Sequence, residues 1–145
     1  MAAQDLRKRL KRKGLESTLK CTGGKGLHVT IPLSEKDDWE SVKTFAAGLA
    51  HEMVETVPAA YVATMTKAKR NGKIFIDFFR NDYTATAIAD YAVRARPGAP
   101  VALPLSWDEL DDLESGSQFT MKDVLARIRR KKPPAVPAPQ RLPRS

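Results

Sequence analysis

The sequence predicts a mixed α+β domain. Three observations carry that reading: leucines four apart near the N-terminus, strict apolar alternation through residues 27–33, and a helical apolar stripe from Trp39 to Val54. In chain order, residues 3–13 form a helix with Leu6 and Leu10 on one face, and Gly14 stops it from the C′ position. Residues 15–21 alternate, with Leu15, Ser17, Leu19 and Cys21 opposite Glu16, Thr18 and Lys20, which predicts a strand. Thr22-Gly23-Gly24-Lys25-Gly26 is a tight turn. Residues 27–33 then alternate again, completing a hairpin with His28 facing away from Leu27, Val29 and Ile31. Asp37 and Glu40 resemble a capping box ahead of the Trp39, Val42, Phe45, Leu49, Met53 stripe, which Pro58 closes; His51 lies off that stripe and reads as a solvated residue. Residues 73–79 read as a strand apolar on both faces except at Asp77. Residues 91–96 read as another, followed by a Pro97-Gly98 turn. A short acidic helix is expected over 106–113, and Thr120 with Asp123 opens a final helix bearing Val124, Leu125 and Ile128. From Lys131 onward five prolines and no apolar period predict a disordered basic tail, giving a domain over 1–130 and a tail over 131–145. No internal repeat is visible.

Composition narrows the function classes. With 145 residues, 42% of them hydrophobic, the chain is one ordinary domain. It has no apolar run of about 18 residues, so no membrane-spanning helix is expected. Its charged N-terminus does not read as a secretory signal. The single cysteine excludes an internal disulfide, and one cysteine with two histidines excludes a Cys/His zinc site. A soluble, cytoplasmic protein without membrane partners is the expectation. The net charge of +8 sits at the ends: six Lys and Arg against Asp5 in residues 1–13, and eight against Asp123 in residues 121–145. Cationic ends suit an anionic polymer such as DNA, because each Lys or Arg on a phosphate releases condensed counterions.

Three groups of residues could carry chemistry. Asp77 lies inside Ile74-Phe75-Ile76-Asp77-Phe78-Phe79, where a strand would desolvate its carboxylate and require a compensating cation, metal ion or proton. Either Arg80, three residues on, forms an internal pair with it, or it is a ligand for a hard ion such as Mg²⁺ or Mn²⁺. The glycine turn with Lys25, Thr22 and the nearby His28 can approach an anion closely, although it leads into a strand and is not a P-loop. Arg70, Arg80, Arg94 and Arg96 form a cationic set; Arg94 and Arg96, two apart on a strand, could clamp one phosphate chain. No Ser/His/Asp or Cys/His triad is evident.

Together these segments resemble the polymerase domain of bacterial DNA ligase D, a branch of the archaeo-eukaryotic primase family. The resemblance runs through Leu15-Glu16-Ser17, Cys21-Thr22-Gly23-Gly24-Lys25-Gly26-Leu27-His28-Val29 and Met65-Thr66-Lys67. It continues in Arg70-Asn71-Gly72-Lys73-Ile74-Phe75-Ile76-Asp77-Phe78-Phe79-Arg80-Asn81, Val93-Arg94-Ala95-Arg96-Pro97-Gly98 and Trp107-Asp108-Glu109-Leu110. It implies a primase-type catalytic core whose C-terminal half is RRM-like, with a mixed or antiparallel sheet and flanking helices. Thr22, Lys25 and His28 fall on the family's nucleotide-phosphate motif, Asp77 on its third metal-binding carboxylate, and Arg70, Arg80, Arg94 and Arg96 around the triphosphate. The implied activity is metal-dependent addition of NTPs or dNTPs at broken DNA ends in non-homologous end joining.

One departure from the family pattern bears on catalysis. The family places an Asp-x-Asp motif upstream of the glycine turn, whereas no two aspartates of this sequence are two apart. One carboxylate cannot hold two divalent ions. The expectation is therefore a partial polymerase domain, inactive alone, that needs Mg²⁺ or Mn²⁺ ligands from an upstream half or works beside a ligase. The alternative is a non-catalytic remnant that binds nucleotide or DNA.

Overall fold

The computed structural model describes residues 1–144. Helix α1 (Ala2–Arg12) is followed by strands β1 (Thr18–Cys21) and β2 (Leu27–Thr30) and helix α2 (Trp39–Thr56). Strands β3 (Tyr61–Val62), β4 (Ile74–Phe75) and β5 (Leu103–Leu105) come next, then helix α3 (Met121–Arg130), with 3₁₀ turns at Lys67–Arg70 and Trp107–Glu109. The α+β class is as expected. None of the described helices is long and apolar enough to cross a membrane.

The chain divides into two compact units. One comprises Met1–Gly14, Leu33–Ala87 and the chain end from Arg141; the other comprises Leu15–Pro32 and Ile88–Gln140.

In the first unit Leu10, Leu49, Ala50, Met53, Tyr61 and Val62 are buried. Helix α1 ends as predicted, Gly14 taking a φ of +76°. Its basic face is not wholly outward. Arg9 is only 8% exposed and donates to Asp5 Oδ1 at 2.9 Å, Glu52 Oε1 at 2.9 Å and Thr56 Oγ1 at 2.7 Å. Lys13 pairs with Glu52 at 3.2 Å. Two of the six N-terminal cations are thus spent on fastening α1 to α2. The cap of α2 is Asp38, whose carboxylate accepts from Ser41 N at 2.8 Å, and not Asp37. Asp37 instead accepts from Leu142 N at 3.1 Å. Strands β3 and β4 pair in parallel, Tyr61 opposite Ile74 and Val62 opposite Phe75.

In the second unit β2, β1 and β5 form an antiparallel sheet in that order. The predicted hairpin is present, though its strands stop at Thr30 and start at Thr18. Leu19 and Cys21 face Leu105 and Leu103 across the ladder, all four at most 2% exposed, which is the burial that the alternation predicts. The expected strand over 91–96 is reduced to one bridge, Val93 with Val101. Pro97 and Pro100 carry no N–H to extend it, and Tyr91 turns away with a φ of +64°. The acidic helix over 106–113 shrinks to one 3₁₀ turn, capped reciprocally by Ser106 and Glu109. Helix α3 starts at the predicted Thr120–Asp123 box. Beyond it, residues 131–139 form neither helix nor strand, and Gln140 then exchanges two hydrogen bonds with the Glu16 backbone and donates to Pro32 O.

Candidate functional site

The glycine turn holds itself closed. Thr22 donates both its N–H and its hydroxyl to Gly26 O, at 3.1 and 2.9 Å, and the hydroxyl oxygen accepts from Gly24 N at 3.1 Å. Thr22 is buried, so its expected part as a free donor gives way to a bracing one. Gly23 has a φ of +69°, and a Cβ there would meet Arg94 Cγ at 2.8 Å; glycine is required on both counts.

Arg94 and Arg96 converge on this turn although no regular strand carries them. Arg94 donates Nη1 to Thr22 O at 3.0 Å, and its backbone N–H to Pro100 O at 2.8 Å fixes the loop that presents it. Arg96 Nη1 lies 3.0 Å from where a Gly24 Cβ would stand, and Arg94 Nη1 lies 3.9 Å from the same point. Lys25 is exposed at the tip. Beside the turn, Gly24, Lys25, Arg96, Glu114, Ser115 and Ser117 line a cleft of about 540 Å³. Two cations and two hydroxyls around one opening, with a single carboxylate among them, can take an anion that accepts several hydrogen bonds at once. His28 is half-buried opposite Lys20 on the face turned away from Leu19 and Cys21, as predicted. Lys20 itself donates to Asp90 Oδ1 at 2.9 Å and Ile88 O at 2.7 Å.

In the first unit the predicted residues are arranged differently. Asp77 is exposed, which corrects the expectation of a desolvated carboxylate. Its Oδ1 accepts from Phe79 N at 3.1 Å, and this local turn ends β4 after two residues instead of seven. Arg80 Nε lies 4.0 Å from Asp77 Oδ2 and its Nη1 donates to Thr86 O at 2.9 Å. Arg70 donates to Thr64 O at 3.1 Å and Met65 O at 2.7 Å, with its guanidinium 3.9 Å above the Phe75 ring. Each of these arginines keeps N–H groups beyond those bonds, since a guanidinium has five. Among the described residues no group of three His, Cys, Asp or Glu side chains could hold a metal ion. The two divalent ions that the resemblance implies therefore do not fit the ligands of this chain by itself.

Two features escape a reading of the sequence. Glu109 and Arg127 form a bidentate pair at 2.6 and 2.8 Å, and this pairing holds the carboxyl down at about 2. The other is the loop over 114–118, which lies against the glycine turn: Gly23 N donates to Gly116 O at 2.9 Å. Ser-Gly-Ser marks a loop, and nothing in it points to residues ninety positions earlier. Cys21, fully buried, has its thiol pushed up to about 11 by desolvation, which removes it as a nucleophile.

Comparison with known proteins identifies the family of this fold. The family model for the LigD primase-polymerase domain matches residues 1–135. The Pseudomonas aeruginosa protein named "Multifunctional non-homologous end joining protein LigD" is 37% identical over 115 residues, covering 79% of this chain and 14% of that protein. The Mycobacterium tuberculosis "Multifunctional non-homologous end joining DNA repair protein LigD" is 38% identical over 109 residues, covering 75% and 14%. Among solved structures, the "Polymerase Domain from Mycobacterium tuberculosis Ligase D in complex with DNA" matches with a TM-score of 0.82 and 36% identity, over 88% of this chain and 44% of that one. The chain thus spans 14% of the length of these two relatives and less than half of the solved domain. Since the family model spans residues 1–135 and these relatives are 37–38% identical over three quarters or more of the chain, the chain belongs to the LigD primase-polymerase domain family.

Proposed function

We propose that this chain is part of a LigD-type repair polymerase domain and supplies the element that grips the polyphosphate of an incoming NTP or dNTP. The setting is nucleotidyl transfer at DNA ends in non-homologous end joining, in the cytoplasm. The observation that carries the reading is the convergence of Arg94 and Arg96 on Gly24 beside the exposed Lys25. A triphosphate is a chain of acceptors, and paired guanidiniums suit it better than isolated lysines do.

The residues divide the work. Thr22 closes the turn, Arg94 braces it through Thr22 O, and Arg96 and Lys25 offer charge to the phosphates. His28 donates from β2; in the other unit, Arg70 and Arg80 keep N–H groups suited to phosphate. Asp77 is one carboxylate of a divalent-ion set for Mg²⁺ or Mn²⁺. Its companions come from residues outside these 145, so nucleotide addition is a property of the fuller assembly, whether an upstream polymerase segment or a ligase-linked protein supplies it. DNA contact falls to the cations that internal pairs leave free, among them Lys8, Lys11 and Arg12 on α1.

Tripolyphosphate, which carries the charge of a nucleotide tail without base or sugar, tests the reading by isothermal titration. The chain binds it, Arg96→Ala weakens binding at least ten-fold, and raising salt weakens it further. A chain that ignores millimolar tripolyphosphate at low salt overturns the proposal.

A further inference from the structure

The backbone of the glycine turn is not free-standing. Gly116 is buried, and a Cβ at this position would lie 2.5 Å from Gly26 O, 3.0 Å from Gly26 N and 3.1 Å from Gly24 O. Its carbonyl takes the Gly23 N–H at 2.9 Å. With Thr22 N bonded to Gly26 O and Gly24 N bonded to Thr22 Oγ1, the first three amides of the turn are spoken for, and one of the three partners is Gly116. The loop that carries Gly116 is itself pinned, since Gln118 Oε1 accepts from Glu114 N at 2.8 Å and Ser115 N at 3.0 Å. Ser115 and Ser117, on either side of Gly116, line the same cleft as Lys25 and Arg96.

We infer that Gly116 is a positioning residue for polyphosphate recognition, the loop over 114–118 acting as a template against which the Thr22–Gly26 turn is moulded. No other residue type fits. The φ of Gly116 lies outside the left-handed range, so the requirement comes from the facing backbone and not from its own conformation. Backbone cannot yield as a flexible side-chain tip can, so even one methyl group displaces the turn and moves Gly24 away from Arg94 and Arg96. The inference rests on the reading of the turn as a polyphosphate-binding element.

Gly116→Ala is compared with wild type by tripolyphosphate titration and by amide NMR spectra of the whole chain. The expected result is at least a ten-fold loss of affinity, with shifted Gly23, Gly24 and Gly26 amides and an unchanged spectrum for the first unit. Gln118→Ala, which loosens the loop without adding bulk, should weaken binding three-fold or more and serves if Gly116→Ala does not fold. Gly48→Ala, in a helix with open space around it, should bind as wild type does. Unchanged affinity and unchanged turn amides in both loop variants would overturn the inference while leaving the polyphosphate reading intact. If wild type fails to bind, that reading falls, and the turn amides alone decide whether Gly116 shapes the turn.

Discussion

The two units use arginine in opposite ways. In the second, Arg94 and Arg96 reach across the chain to a turn seventy residues earlier and leave part of their charge at its surface. In the first, Arg70 and Arg80 bond to backbone carbonyls five or six residues away, while Arg9 is buried in a net of three side chains. Arg94 and Arg96 shape a place where an anion can sit, whereas Arg70 and Arg80 stiffen the loops that hold them and Arg9 fastens two helices together. Sequence position alone does not separate Arg70 and Arg80 from Arg94 and Arg96, because all four read as one cationic set.

A pair of glycines puts this contrast to its hardest test. Gly23 and Gly72 have nearly the same φ, +69° and +70°, but Gly23 is enclosed by Arg94 and the Val101–Ala102 backbone whereas Gly72 has nothing within 4 Å. Gly72→Ala should cost about 1 kcal/mol, the price of a left-handed alanine. Gly23→Ala should cost about 3 kcal/mol, because a steric term is added, and it should abolish tripolyphosphate binding. Urea melts and titrations of the two variants give the comparison; equal costs would mean that the enclosure around Gly23 is not rigid.

Acid offers the next test. Glu109 is held down at about 2 by its Arg127 pair against an ordinary 4.5, so its contribution is fully present above about pH 4.5 and disappears as pH falls toward 2. Glu109→Gln should cost on the order of 2 kcal/mol at neutral pH, less than a fully enclosed pair would. The gap between variant and wild type should close below pH 3 in thermal melts, and a gap independent of pH would assign the stabilisation to packing. The smallest effect belongs to the first unit: Asp77 is exposed, so Asp77→Asn should change stability by no more than about 0.5 kcal/mol by the same melts.

What the sequence discloses follows the range of the interaction. The hairpin over 18–30, the Thr120–Asp123 cap and the Gly14 stop are legible because each depends on residues within a few positions. Asp77 misleads for a physical reason. Its five apolar neighbours argue for a buried strand, but a short carboxylate beside its own backbone captures the Phe79 N–H and ends the strand there. The convergence of Arg94 and Arg96 is legible as a pair and not as a place, since Pro97 and Pro100 leave no ladder to define a face. Gly116 and the Glu109–Arg127 pair are silent in sequence because their partners lie 18 to 93 positions away.

The lone sulfur at position 21 gives the molecule a built-in clock. Sealed in the three-stranded sheet and held protonated, it offers nothing to an alkylating reagent while β1 stays paired. Every molecule that takes up a maleimide has therefore opened that sheet, and since there is one thiol per chain, the labelled fraction reports the share of molecules that have opened and reacted.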